Sequence, residues 1–254
     1  MKTITSIFSA LCITFLFLAP LHAQTDRSSE IAQQMASLDC PATNQRIKAA
    51  KIIARSGFDN EALYQKIARI LEAGYTQNGG SKHIDEMAWM CKALAASGDI
   101  RYTDLLTEVA RNSPNRKLQG YAKKSVAQIG NYAKRKEVMG SDYSWNKKLT
   151  DEENRLVSML RSGDHKIMRD AAKIIYRVQL LSSPVYQEVA QAISSMQSTI
   201  GSSRIHSDTL AWLCKALSTS GDAKYAKVLQ GVIDNSHNSS LTNHAQKSLA
   251  NLRP

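Results

Sequence analysis

Residues 83–129 read HIDEMAWMCKALAASGDIRYTDLLTEVARNSPNRKLQGYAKKSVAQI. They align without a gap to residues 206–252, HSDTLAWLCKALSTSGDAKYAKVLQGVIDNSHNSSLTNHAQKSLANL, with 22 of 47 positions identical. The offset is 123 residues. Further upstream AAKII at 49–53 recurs at 171–175, and Leu63-Tyr64-Gln65 is matched by Val185-Tyr186-Gln187, both at an offset of 122. One residue is therefore inserted in the second half, around the Ser/Gly-rich stretch at Gly201. Self-similarity at this level is the signature of a repeat architecture, in which one supersecondary unit recurs along the chain.

Inside each unit the hydrophobic spacing is helical. Ile47, Ile52 and Ile53, then Leu63, Ile67, Ile70 and Leu71, recur at steps of three and four, and no run alternates as a strand would. Ser56-Gly57, Ser97-Gly98, Ser162-Gly163 and Ser220-Gly221 punctuate the pattern. A glycine just past a helix end adopts the left-handed conformation without a steric penalty and so stops the helix. Asp99, Asp164 and Asp222 follow three of these pairs, where a carboxylate can cap the next helix, and Thr150-Asp151-Glu152-Glu153 has the form of a capping box. The first unit is expected to hold helices near 28–38, 45–56, 60–74, 86–97 and 101–129, the last broken around 112–115 to give a sixth.

The N-terminus has a separate role. Lys2 precedes a nearly uninterrupted apolar run at 7–19, then Pro20 and a small residue at Ala23. This is the pattern of a cleaved export signal with processing after Ala23. About 13 apolar residues are too few to span ~30 Å of hydrocarbon as a helix. No later segment is apolar enough to cross a bilayer. The chain divides into a signal at 1–23, a first helical unit at 24–131, a connector at 132–149 and a second unit at 150–254, and its destination is the periplasm or the exterior.

The 33 Lys+Arg outnumber 22 Asp+Glu, for a formal net charge of +11. Lys134, Arg135, Lys136, Lys147 and Lys148 crowd the connector. A basic exported protein suits acidic proteins or an anionic envelope surface. The compartment argues against nucleic acid, and with Phe58 the sole phenylalanine beyond the signal there is no base-stacking platform. Cys40, Cys91 and Cys214 form no disulfide framework and have no metal-ligand spacing, although a Cys40–Cys91 bridge is open.

A finer period lies within each unit. Ala50, Ala88 and Ala122, and again Ala172, Ala211 and Ala245, begin similar motifs 34 to 39 residues apart. The form A-x4-A-L-x3-G-D-x2-Y-x2-L-L-x2-V, a short Asn/Ser turn, then L-x3-A-x3-V-x2-I resembles the HEAT-like repeats of α-solenoids. The resemblance is strong over 88–129 and 211–252, and looser over the rest of 45–131 and 166–252. It departs from the family at Gln119 and Thr242, where an arginine is usual. The resemblance implies an all-α chain of antiparallel helix pairs, about six in all, stacked around a concave binding face. A single pair cannot cover its own apolar stripe.

Few residues stand outside that packing logic. Trp89 and Trp212 head matched helices and read as core, with ligand stacking the lesser option. Lys92 and Lys215 sit mid-helix in both units and must reach water. His83-x-Asp85 and His206-x-Asp208 could ligate a metal, but read first as loop histidines followed by N-cap aspartates. A two-halved HEAT-like enzyme exists in deoxyhypusine hydroxylase, whose iron is held by His-Glu dipeptides; this sequence has none. With no phosphate loop, no nucleophile triad and no cofactor motif, the expectation is a non-catalytic scaffold that binds protein or anionic polymer and needs no cofactor. Its binding residues would be Lys92 and Lys215 with the basic connector. Intact-mass measurement of the exported product should place its first residue at Gln24; a product that keeps residues 1–23 would exclude the export reading.

Overall fold

The computed structural model describes residues 27–140, 146–180, 182–197 and 203–252. Among them every extended element is helical. The first half contains α1 (Arg27–Asp39), α2 (Thr43–Ser56), α3 (Glu61–Gly74), α4 (Ser81–Ala95), α5 (Thr103–Asn112) and α6 (Arg116–Gly140). The second contains α7 (Asp151–Arg161), α8 (His165–Val178), α9 (Ser183–Gln197), α10 (Arg204–Ser218), α11 (Ala226–Asn235) and α12 (Ser239–Ala250). None of these is long and apolar enough to cross a membrane. The export segment 1–23, the inserted residue near Gly201 and the middle of the connector lie outside the described residues.

Each odd-numbered helix packs on the even-numbered helix that follows it. The even-numbered helices also pack on one another, α2 on α4 on α6 and α8 on α10 on α12, with α6 touching α7 and α8 across the middle. Small residues allow this. Ala49, Ala50 and Ala54 on α2, Ala88 and Ala95 on α4, Ala171 and Ala172 on α8 and Ala211 on α10 are all buried. Helix axes approach to about 8–10 Å, the shorter distances needing small side chains at the contact. Larger residues such as Leu63, Ile67, Leu71 and Val189, Ile193 fill the space between the two layers.

Two buried apolar clusters result, one in each half. The long α6 joins them: Ile129 belongs to the first cluster and, ten residues on, Met139 belongs to the second. The basic stretch that begins at residue 132 is therefore helical up to Gly140, and Asn146–Leu149 turn into α7.

The punctuation reads as expected. Gly57, Gly98, Gly163 and Gly221 all have positive φ. Asp99, Asp164 and Asp222 accept backbone N–H bonds at the starts of the following helical turns. Thr150 and Glu153 form a reciprocal capping box. Asn115 and Asn238 cap α6 and α12, and Asn238 does so from extended rather than left-handed backbone (φ −95°). Two expectations need correction. Asp85 and Asp208 are not N-caps: α4 starts after Gly80 and α10 after Ser203, so both carboxylates sit inside their helices. Ser203 takes the capping role at α10 by accepting the His206 N–H. The Cys40–Cys91 bridge is absent as well; Cys40, Cys91 and Cys214 are free thiols, the last two buried.

Gly98 differs from the other left-handed glycines. A Cβ there would lie 2.6 Å from the Ala133 backbone nitrogen on α6, whereas one at Gly163 would meet open space. Gly163→Ala should cost about 1–2 kcal/mol, the left-handed penalty alone. Gly98→Ala should cost clearly more, because α6 must shift. Urea denaturation of the two variants checks this, and equal losses would mean that α5 and α6 have room to part.

Candidate functional site

The sequence of α8, HKIMRDAAKIIYRV, has two faces. Ile167, Met168, Ala171, Ala172 and Ile175 are buried in the second core. On the other side Lys166, Arg169, Lys173 and Arg177 recur at steps of three and four, the spacing that places helical residues on one face. That cationic stripe faces a cleft of about 410 Å³ at the junction of the halves. The opposite walls come from Arg55 on α2, Trp89 and Lys92 on α4, and Gln128, Asn131, Tyr132 and Arg135 on α6. Among the described lining residues the only carboxylate is Asp170.

Crowding of like charge shows in the titration behaviour. Desolvation, then Arg177, then Arg55 lower the pKa of Lys92. Desolvation and Arg177 do the same to Arg55, and desolvation followed by Arg169 to Lys173. Each of these groups would be more readily charged in water.

Arg135 is the deepest cation. Its side chain is 3% exposed, and its guanidinium carbon stands 4.6 Å from the Tyr132 ring centroid. The same guanidinium packs under Gly57, where an added Cβ would come within 3.0 Å of Nη2. Neither Nε nor Nη2 makes a hydrogen bond among the described residues. Unmade hydrogen bonds on a buried charged group cost several kcal/mol at worst, so such a group is uncommon unless a ligand or ion completes it. Arg169 is similar: Nη1 donates to Asp208 at 2.9 Å while its buried Nε is unpartnered. Arg169 also borders a second cavity, about 680 Å³, lined by Arg204, Asp208 and His244 among others.

Both tryptophans carry two lysines. Lys51 and Lys92 lie 5.2 and 4.7 Å from the Trp89 centroid, and Lys173 and Lys215 lie 5.2 and 4.5 Å from that of Trp212. The rings are half-buried. They hold ammonium groups upright on the surface of the even-numbered helices, each contact worth about 0.5–1 kcal/mol at exposed sites.

The residues singled out from sequence are therefore scattered. Lys92 and Arg135 line the cleft. Lys215 stands over Trp212 outside it. Lys134 pairs with Asp164 at 2.7 Å and Lys136 with Asp59 at 2.8 Å, while Lys147 and Lys148 are exposed in the turn before α7. The His-x-Asp pairs are structural. His83 Nε2 donates to the Gly74 carbonyl (2.9 Å) and His206 Nε2 to that of Met196 (3.1 Å), tying each helix to the end of the one before it. Asp85 binds Lys117 and Asp208 binds Arg169, both at 2.9 Å. Among the described residues no three His, Cys, Asp or Glu side chains gather as a metal site. Sequence reading missed Arg55, Arg169, Lys173 and Arg177. The signal was present in the basic stripe of α8 and in the matching of Lys51 with Lys173 and Arg55 with Arg177 at the 122-residue offset.

No protein-family model and no curated protein matches the chain. Solved structures do resemble it. Human deoxyhypusine hydroxylase in complex with glycerol is 11% identical with a TM-score of 0.33, over 87% of this chain and 84% of that one. Two engineered proteins are each 16% identical, with TM-scores of 0.32 and 0.33, over 88% of this chain and 96% and 98% of theirs. The expectation that the chain is not an enzyme does not stand. One of the structures it resembles is an enzyme. At this level of similarity the likeness carries no activity across.

The cleft's repulsion has a measurable consequence. Arg177→Gln should raise the melting temperature at low salt, and the gain should shrink in about 1 M salt, where screening (~3 Å) already relieves the repulsion. Differential scanning calorimetry at both salts reads it. A drop in stability would show that Arg177 is held by attraction.

Proposed function

We propose that the protein is an exported binding module whose anionic ligand seats in the cleft between α2, α4, α6 and α8. Its six helix pairs are read as a HEAT-like α-solenoid made by tandem duplication, with the even-numbered helices forming the binding face. The sequence match between the halves and the row of mutually packed even-numbered helices support that reading. The observation that carries the function is the charge of the cleft: seven cationic side chains and one carboxylate around about 410 Å³, with the buried Arg135 short of partners. Where like charges are held together by the fold and not by counter-charges of the protein, the counter-charge is supplied by the ligand. The partner is then an acidic protein segment or anionic polymer of the periplasm or exterior, reached at a rate raised by the long-range field.

A short fluorescent poly-glutamate peptide tests the reading by anisotropy. Binding should be measurable at about 0.1 M salt and largely lost at about 1 M, as the screening length falls from ~10 to ~3 Å. A poly-lysine peptide should not bind. Absence of salt-sensitive binding to poly-glutamate, and to every other polyanion, would sink the proposal.

A further inference from the structure

The cleft selects among anions, and the selection follows from charge density. The space of about 410 Å³ is roughly a 7 Å cube. An extended peptide advances ~3.3–3.6 Å per residue, so about two glutamates fit and bring about two charges. A phosphate brings −1.5 to −2 and three strong acceptor oxygens in one compact group. Two or three phosphates would offset much of the excess of seven cations over one carboxylate. The donor types agree. Arg55, Arg135, Arg169 and Arg177 present planar forks that bind phosphate in bidentate fashion, and Lys92, Lys166 and Lys173 add point charges around them.

The arrangement is also graded in depth. At the floor Arg135 lines the cleft with a side chain stacked against Tyr132 and wedged under Gly57, its Nε and Nη2 buried and without a partner among the described residues. At the side Asp208 fixes Nη1 of Arg169, whose Nε is buried and unpartnered among the described residues. Arg55 and Arg177 are exposed at the rim. A ligand entering from solvent thus meets exposed guanidiniums first and the buried one last.

Resting on the reading of the cleft as an anion site, we infer that its ligand is a compact polyphosphate group, two or three phosphates joined directly or carried on a small scaffold, anchored by Arg135. Recognition is non-covalent. Ligand charge also offsets the desolvation and mutual repulsion that lower the Lys92 and Lys173 pKa values, so binding is accompanied by proton uptake at alkaline pH.

Isothermal titration of the purified protein with sodium tripolyphosphate, with citrate as the carboxylate control, tests this. Tripolyphosphate is expected to bind at least about tenfold more tightly than citrate. Arg135→Met should weaken it about ten- to hundredfold, the range for losing charge-assisted hydrogen bonds. Arg55→Gln combined with Arg177→Gln should weaken it about tenfold or more, and decides the matter should Arg135→Met fail to fold. Titration near pH 9 in buffers of different ionisation enthalpy should register proton uptake. Citrate binding as tight as tripolyphosphate, or tripolyphosphate binding indifferent to the cleft substitutions, overturns the inference. Binding of poly-glutamate without tripolyphosphate overturns it and leaves the broader anion reading intact; binding of neither removes both. Sedimentation with vesicles containing a phosphoinositide that bears two added phosphates then separates sources of the same chemistry. Sedimentation that free tripolyphosphate displaces from the cleft assigns a lipid headgroup, and none assigns a soluble phosphate.

Discussion

Close packing of the even-numbered helices against one another is the constraint on which the rest depends. With alanines at the α2–α4 and α8–α10 contacts, these helices lie side by side and their apolar faces turn back toward the odd-numbered layer. Anything long and polar on them then has one direction left. Lys51, Lys92, Lys173 and Lys215 emerge on the free side with their ammonium groups over the Trp89 and Trp212 rings. Amphipathic side chains commonly behave this way, covering apolar surface while the charge stays wet. The basic surface is thus a consequence of the same packing that makes the core.

Position along the row then separates a charged surface from a site. Over most of the row each cation has water or a carboxylate beside it: Arg46 is paired with the buried Glu86, Lys117 with Asp85. At the junction α6 passes from one core to the other, and α2, α4 and α8 converge on it. Four helices then contribute cations to one small volume while the core takes up the positions where carboxylates might have answered them. Arg27 from α1 reaches Glu152 on α7 and the carbonyls of Ser56 and Gly57, bracing the same junction from behind. The cleft walls are thus held together in part by contacts outside the cleft.

Much of the fold was legible in the sequence because local rules and the repeat agreed. Helix ends were marked by Ser-Gly pairs and by Asp or Thr caps, whose hydrogen bonds are satisfied within a few residues. Asp85 and Asp208 were misread for a related reason. An aspartate followed by an apolar run looks like a cap, and only the tertiary tie of His83 and His206 to the preceding helix shows that the helix began a turn earlier. The site was far less legible. Counting charge density along the chain drew attention to the connector, yet Lys134 and Lys136 are spent on Asp164 and Asp59. The cleft cations come from four helices dispersed over more than a hundred residues, and nothing in a linear window brings Arg55 beside Arg177.

The two halves also differ where it matters. At the 122-residue offset Lys51 and Arg55 of α2 are answered by Lys173 and Arg177 of α8, but Asn44 and Ile47 are answered by Lys166 and Arg169. The shared pair supplies the Trp-supported lysines and the rim arginines in both halves. The unshared pair lies on the cleft side of α8, whereas α2 carries Arg46 and Lys48 where α8 has Met168 and Asp170. The two helices thus carry similar charge at different positions, and only α8 turns all four of its Lys and Arg side chains to the junction.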